Sequence, residues 1–225
     1  MKKTLKVSIG QYSTAGIKQQ NQDFHGVYLP EGHVLKQKGI ACVIADGIGS
    51  SNVSHLAAET AVGSFLSDYY STSDAWSTQT SAERVIRATN SWLYAQTQQS
   101  QGRFDKDRGY VCTLSALILK QQQAHVFHVG DSRIYRIRDH EIELLTHDHR
   151  VWLSSREHYL RRALGADYRI EIDYRNIELK EKDIFLLMTD GVYEFVTDQQ
   201  LLDLTLIDGD LNQLAKGLVE KALEQ

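Results

Sequence analysis

Leu5, Val7 and Ile9 alternate with polar neighbours, the period of a strand with one buried face. Residues 10–16 are turn-rich, and Phe24 to Leu29 reads as the returning strand, closed by Pro30-Glu31-Gly32 with the chain's only proline. Gly39 to Ala45 is a continuous apolar run of strand length. The period then becomes helical: Ala58, Ala61, Val62, Phe65, Leu66 and Tyr69 share one face. Thr80-Ser81-Ala82-Glu83 has the form of a capping box, and Val85, Ile86, Thr89, Trp92 and Leu93 line the inner face of a second long helix.

After a polar stretch over 98–109, four strand-like segments joined by short polar turns run from Tyr110 to Leu145, which predicts an antiparallel meander. Val151 to Leu164 is predicted as a short helix. Residues 169–177 and 183–189 are predicted as strands, and Leu211, Leu214, Ala215, Leu218 and Ala222 mark a closing amphipathic helix. Strands, two long helices, many strands and a last helix do not suit a parallel sheet with helices threaded through it. The order predicts an α+β fold: a four-layer α-β-β-α sandwich of two antiparallel sheets flanked by helices. There is no repeat, low-complexity tract or dividing linker, so residues 1–225 read as one domain.

Bulk properties narrow the function classes. A net charge of −4 provides no global field for nucleic acid or an anionic membrane. Trp76, Trp92 and Trp152 form no stacking platform with basic residues. No apolar run reaches membrane-span length, and Met1-Lys2-Lys3-Thr4 is not followed by a signal-peptide core, so a cytoplasmic protein without membrane insertion is expected. Cys42 and Cys112 sit in apolar runs and read as reduced core residues.

The candidate chemistry lies at strand ends. Cys42-Val43-Ile44-Ala45-Asp46-Gly47, Val126-Phe127-His128-Val129-Gly130-Asp131 and Ile184-Phe185-Leu186-Leu187-Met188-Thr189-Asp190-Gly191 each end on an aspartate beside a glycine, and Asn21-Gln22-Asp23 opens another apolar stretch. A carboxylate on a buried strand end is held rigidly, and a glycine allows close backbone approach. Carboxylates brought together repel, and divalent cations relieve that repulsion; oxygen-only ligands select magnesium, manganese or calcium over zinc. A metal pair can activate water for attack on phosphorus, so the pattern points to phosphoester hydrolysis. Plain turn chemistry is the competing reading of each Asp-Gly.

His147-Asp148-His149 reads as a polar loop, because adjacent residues cannot easily face one ion. His128 reads as a satisfied core histidine, and Arg161-Arg162 as a solvated face. Gly47-Ile48-Gly49-Ser50-Ser51 lacks the Gly-Lys-Ser/Thr ending of a phosphate-binding loop, which argues against nucleotide binding.

Five segments in order, Asn21-Gln22-Asp23, Ala45-Asp46-Gly47-Ile48-Gly49, Cys112-Thr113-Leu114-Ser115-Ala116, His128-Val129-Gly130-Asp131-Ser132-Arg133-Ile134-Tyr135 and Leu187-Met188-Thr189-Asp190-Gly191-Val192, resemble the successive motifs of the metal-dependent protein phosphatases of the 2C type. More narrowly, the chain resembles the amino-terminal phosphatase domain of bacterial proteins that fuse it to a protein kinase. The resemblance implies the α-β-β-α sandwich, manganese or magnesium at one end, and hydrolysis of phosphoserine and phosphothreonine on proteins by a metal-bridging hydroxide without a phosphoenzyme. It implies that Asp46 bridges two metals, that the Gly47 carbonyl and Asp190 add ligands, and that Asp23 acts near the second metal. Asp131 with Asp190 resembles the ligands of a third metal found in bacterial members. Phosphorylated proteins, and a protein kinase or kinase domain, are the implied partners.

The chain departs from the family pattern in three places. Lys18 stands where the family places an arginine to hold phosphate, supplying a point charge instead of a bidentate fork. The segment between Thr146 and Ala163 is short where members carry a longer flap. The closing Gly-x-x-Asp-Asn motif and its strand do not appear before Gln225, which would leave a sheet edge open. Lys18 and the absent motif keep an alternative open: a catalytically weak or inactive phosphatase-like domain that binds phosphoproteins or regulates a partner.

Overall fold

A computed structural model describes residues 5–49, 52–105, 108–152, 158–205 and 209–225. The elements run β1 (Asp23–Tyr28), α1 (Gly32–Lys38), β2 (Ile40–Asp46), α2 (Ser54–Ser71), α3 (Thr78–Gln99), a 3-10 turn (Gln101–Arg103), β3 (Leu114–Lys120), β4 (Gln123–Val129), β5 (Arg133–Arg138) and β6 (Glu141–Leu144). They continue with β7 (Arg150–Trp152), β8 (His158–Leu160), β9 (Asp173–Glu178), β10 (Ile184–Met188), α4 (Asp190–Tyr193), α5 (Asp198–Thr205) and α6 (Leu211–Leu223). One antiparallel sheet has the order β1-β2-β3-β4-β9, a second β10-β5-β6, and β7-β8 is a separate hairpin.

Three apolar clusters separate four layers. Phe65, Tyr69, Ile86 and Leu93 of α2 and α3 pack on Val43, Ala116 and Phe127 of the larger sheet. Leu117, Leu119 and Val126 meet Ile134 and Leu145 between the sheets. Tyr135 and Met188 meet Leu201, Leu218 and Ala222 on the far side. Each fully buried large side chain contributes about 1.5–3 kcal/mol of transfer free energy, and their distribution sets the α-β-β-α order.

Several sequence expectations are corrected. Residues 5–9 form no strand. Leu5 and Val7 pack on the inter-sheet core, so burial of alternate side chains produces the alternation without ladder bonds. The Tyr110–Leu145 region is no single meander. The chain leaves the larger sheet at Gly130, whose φ of +110° and close approach to Thr113 exclude a side chain, and enters the smaller sheet at Arg133.

The described residues of Val151–Leu164 are not helical. They include the β7-β8 pair, and Leu164 exchanges backbone bonds of 2.9 and 3.2 Å with Cys112, so long-range pairing overrides local propensity. Helix α3 starts earlier than the predicted capping box: the Ser77 hydroxyl caps it by accepting from the Thr80 N–H, while Glu83 accepts from Gln79. Trp92 is half exposed and does not line the inner face, edging instead against Tyr110. The short helix α1 begins at Gly32, where the sequence pattern shows only a turn, and ends on Gly39 at φ +78°.

Among the described strands β10 pairs only with β5, and a cavity of about 2250 Å³ runs beside it from Leu5 and Val7 to Leu218, reaching Asp23 and Asp190. Lys38, almost fully buried, donates from Nζ to the carbonyls of Thr72 and Ser73 and to the Thr72 hydroxyl, which joins α1 to the end of α2. No helix among the described residues is long and apolar enough to cross a membrane. The side chain of Trp152 and the Ser50-Ser51 end of the glycine loop lie outside the described residues.

Candidate metal centre

Antiparallel pairing of β1 with β2 puts Asp23 directly opposite Asp46, at the first residue of one strand and the last of the other. Asp131 lies in the β4–β5 crossover, and Asp190 opens α4 immediately after β10, whose Met188 pairs with Arg133 of β5. The four aspartates therefore gather at one end of the two sheets. Asp46 lies within the fields of Asp23, Asp190 and Asp131 together.

Backbone and hydroxyl bonds fix these carboxylates. The Asp46 N–H donates to Thr113 Oγ1 at 2.9 Å, and the Thr113 N–H returns a bond to the Asp46 carbonyl at 2.8 Å. Thr113 Oγ1 also bonds Ser132 Oγ at 2.7 Å. Thr189 Oγ1 donates to Asp23 Oδ2 at 2.9 Å, and the Asp23 N–H donates to Asn21 Oδ1. Tyr193 OH donates to the Asp131 carbonyl. Gly47 tolerates no side chain: a Cβ there would stand 2.6 Å from the Ser54 carbonyl carbon and 3.0 Å from the Gln22 oxygen. Gly191 has open space around it and is not required in this way.

Burial, followed by the charges of Asp23 and Asp190, holds the Asp46 carboxyl well above the usual carboxylate range, and it shares a hydrogen bond with Asp23. Burial also raises Asp23, against the lowering effect of Asp46, Thr189 and Lys18. Two part-buried acids that face each other repel when both are charged, and a hard cation between them relieves that repulsion. The donor set is all oxygen and fits magnesium or manganese. Among the described residues no three carboxylate, imidazole or thiol groups close into a ready ligand cage. Asp190 is engaged by an arginine and Asp23 by the Thr189 hydroxyl.

That arginine, Arg150, carries no sequence signal: it is one basic residue in a polar loop. Its Nε donates to Asp131 Oδ2 at 2.5 Å, one terminal nitrogen approaches Asp190 Oδ2 at 3.2 Å, and the other bonds Glu194. Lys18 is exposed in the loop before β1, close enough for its charge to lower Asp23.

The neighbouring polar residues serve structure. Asp148 accepts both Nε and a terminal nitrogen of Arg133, at 3.0 and 2.8 Å. His149 accepts from the Gly130 N–H on Nδ1 and donates from Nε2 to Asp173. His128 is buried, donates from Nε2 to the His147 carbonyl and meets the Ser115 hydroxyl with Nδ1; burial pushes it down to about 4. Arg162 is tied to Glu171 and Asp173 instead of lying on a solvated helix face. Cys42 and Cys112 are free thiols, both pushed up by burial, Cys42 to about 11.

Residues 11–224 match the family described as protein phosphatase 2C. The chain is 27% identical to the serine/threonine phosphatase Stp of Listeria monocytogenes, over 92% of this chain and 85% of that protein. It is 26% identical to the protein phosphatase PhpP of Streptococcus pneumoniae, over 99% and 91%. It shares its fold with the catalytic domain of the serine/threonine protein phosphatase PstP in complex with two manganese ions, with a TM-score of 0.73 and 24% identity over 92% of this chain and 87% of that one. With the match running through nearly its whole length and its aspartates gathered at the strand ends, the chain belongs to the protein phosphatase 2C family.

Proposed function

We propose that the chain is a cytoplasmic, metal-dependent protein serine/threonine phosphatase, one domain throughout, acting on phosphorylated proteins in bacterial signalling opposite a protein kinase. The gathering of Asp23, Asp46, Asp131 and Asp190 at one end of the two sheets carries this reading. The two manganese ions held by the PstP catalytic domain support manganese or magnesium as the cofactor. In this assignment Asp46, the Gly47 carbonyl and Asp190 would hold the metal pair, with Asp23 beside it and Asp131 further out with Asp190. The bound ions supply an activated water and neutralise phosphoryl oxygens. The chain's own residues do the rest. Thr113 holds Asp46 at the strand end, Thr189 orients Asp23, and Lys18 brings a positive charge to the mouth of the site.

The second reading is a phosphatase-like domain with weak or no turnover that binds phosphoproteins. Arg150 favours it, since it competes for an Asp190 oxygen. Manganese-dependent hydrolysis of p-nitrophenyl phosphate and of a phosphothreonine peptide, with Asp46→Asn alongside, separates the two. Activity that requires manganese and disappears in the variant is expected. A wild-type chain that binds manganese without turnover would favour the second reading.

A further inference from the structure

The arginine that competes for Asp190 occupies a place that the four-aspartate pattern alone would assign to a cation. Asp131, Asp190 and Glu194 converge on its guanidinium through three different nitrogens. The Arg150 side chain is 5% exposed and so is Asp131, so the pair is withdrawn from water. Its guanidinium also lies 5.7 Å from the Tyr193 ring centroid, and the Tyr193 hydroxyl is bonded to the Asp131 carbonyl. The position is therefore specified from several directions: by β7, which carries Arg150, by the β4–β5 crossover, and by α4 together with Glu194 at its end. We infer that Arg150 is a built-in counter-ion that takes the place of an additional divalent cation between Asp131 and Asp190, so that this chain holds two ions, not three.

The charges support this. Three carboxylates with one guanidinium already carry one neutralising charge, and guanidinium does not deprotonate in proteins. A dication entering between Asp131 and Asp190 would face that fixed positive charge and lose an oxygen of each carboxylate already engaged by it. Only one oxygen of Asp190, Oδ2, lies within reach of Arg150; the other remains available to the metal pair near Asp46. Arg150 thereby acts as a positioning residue: it orients Asp190 and reduces the number of carboxylates open to metal.

The inference rests on the proposed metal centre, and counting bound ions separates the two ideas. Equilibrium dialysis against manganese, followed by elemental analysis, is expected to return two ions per chain for wild type and for Arg150→Lys. Arg150→Gln should return three, and Arg150→Gln combined with Asp131→Asn should return two. A wild-type count of three overturns the inference whatever the variants do. A folded Arg150→Gln chain, checked by far-UV circular dichroism, that still binds two also overturns it while leaving the metal centre standing. A wild-type chain that binds none removes the metal centre itself and the inference with it.

Discussion

Thr113 offers a direct test of how the fold holds its principal carboxylate. The residue is fully buried, and its hydroxyl serves two partners, the Asp46 N–H at 2.9 Å and Ser132 Oγ at 2.7 Å. Thr113→Val keeps the shape and removes the hydroxyl. The Asp46 N–H then lies buried without its acceptor, at a cost of about 1–3 kcal/mol. Weakening of the Ser132 bond adds about 1 kcal/mol, and burial of the new methyl returns about 0.8 kcal/mol.

A net loss of about 2 kcal/mol is therefore expected, which for a domain of this size lowers Tm by about 4–8 °C. Urea unfolding followed by circular dichroism measures it, with an unchanged m-value marking a pure stability effect. Ser132→Ala should cost less in the Thr113→Val background than in wild type, because the two hydroxyls share one bond; a coupling of at least about 0.5 kcal/mol is expected. A loss below about 0.5 kcal/mol, with additive behaviour in the double variant, would refute the claim that Thr113 anchors Asp46.

Other buried and charged groups give further expectations. His128 is held neutral with its value near 4, below the unfolded value of 6.5, so the unfolded chain takes up a proton that the folded chain refuses as pH falls from about 6.5 to 4. Stability present above pH 6.5 should be lost across that window, on the order of 3 kcal/mol from this residue, and the wild-type pH slope should shrink by that amount in His128→Asn. Lys38→Met leaves the Thr72 and Ser73 carbonyls without their donor and should lower stability by about 1–3 kcal/mol, read as a fall in Tm; an unchanged Tm would show that the buried ammonium contributes nothing. On the proposed function, Lys18→Ala should raise KM for a phosphothreonine peptide by about 3–10-fold with kcat little changed, since an exposed lysine offers a point charge to bound phosphate. Equal loss in kcat would move Lys18 into the reacting centre.

Local periodicity determined much of this protein. The faces of α2 and α3, the strands around Cys42, Val126 and Leu186, and the closing helix α6 all arise from where apolar residues recur, because each element must bury one face and the repeat reports which. The aspartates at the strand ends were legible for the same reason: strand ends lie where apolar runs stop.

Tertiary structure decided what pairs with what. Residues 5–9 carry a strand pattern but only pack, and Val151–Leu164 carries a helical one, yet its described parts are drawn into the β7-β8 pair and onto Cys112. The crossover at Gly130 divides one run of strands between two sheets. Arg150 enters the carboxylate cluster only because β7 passes beside α4, a juxtaposition of residues 40 apart in sequence. Sequence periodicity records which side of an element is apolar; the partners of a charge depend on contacts between distant segments, which no local repeat encodes.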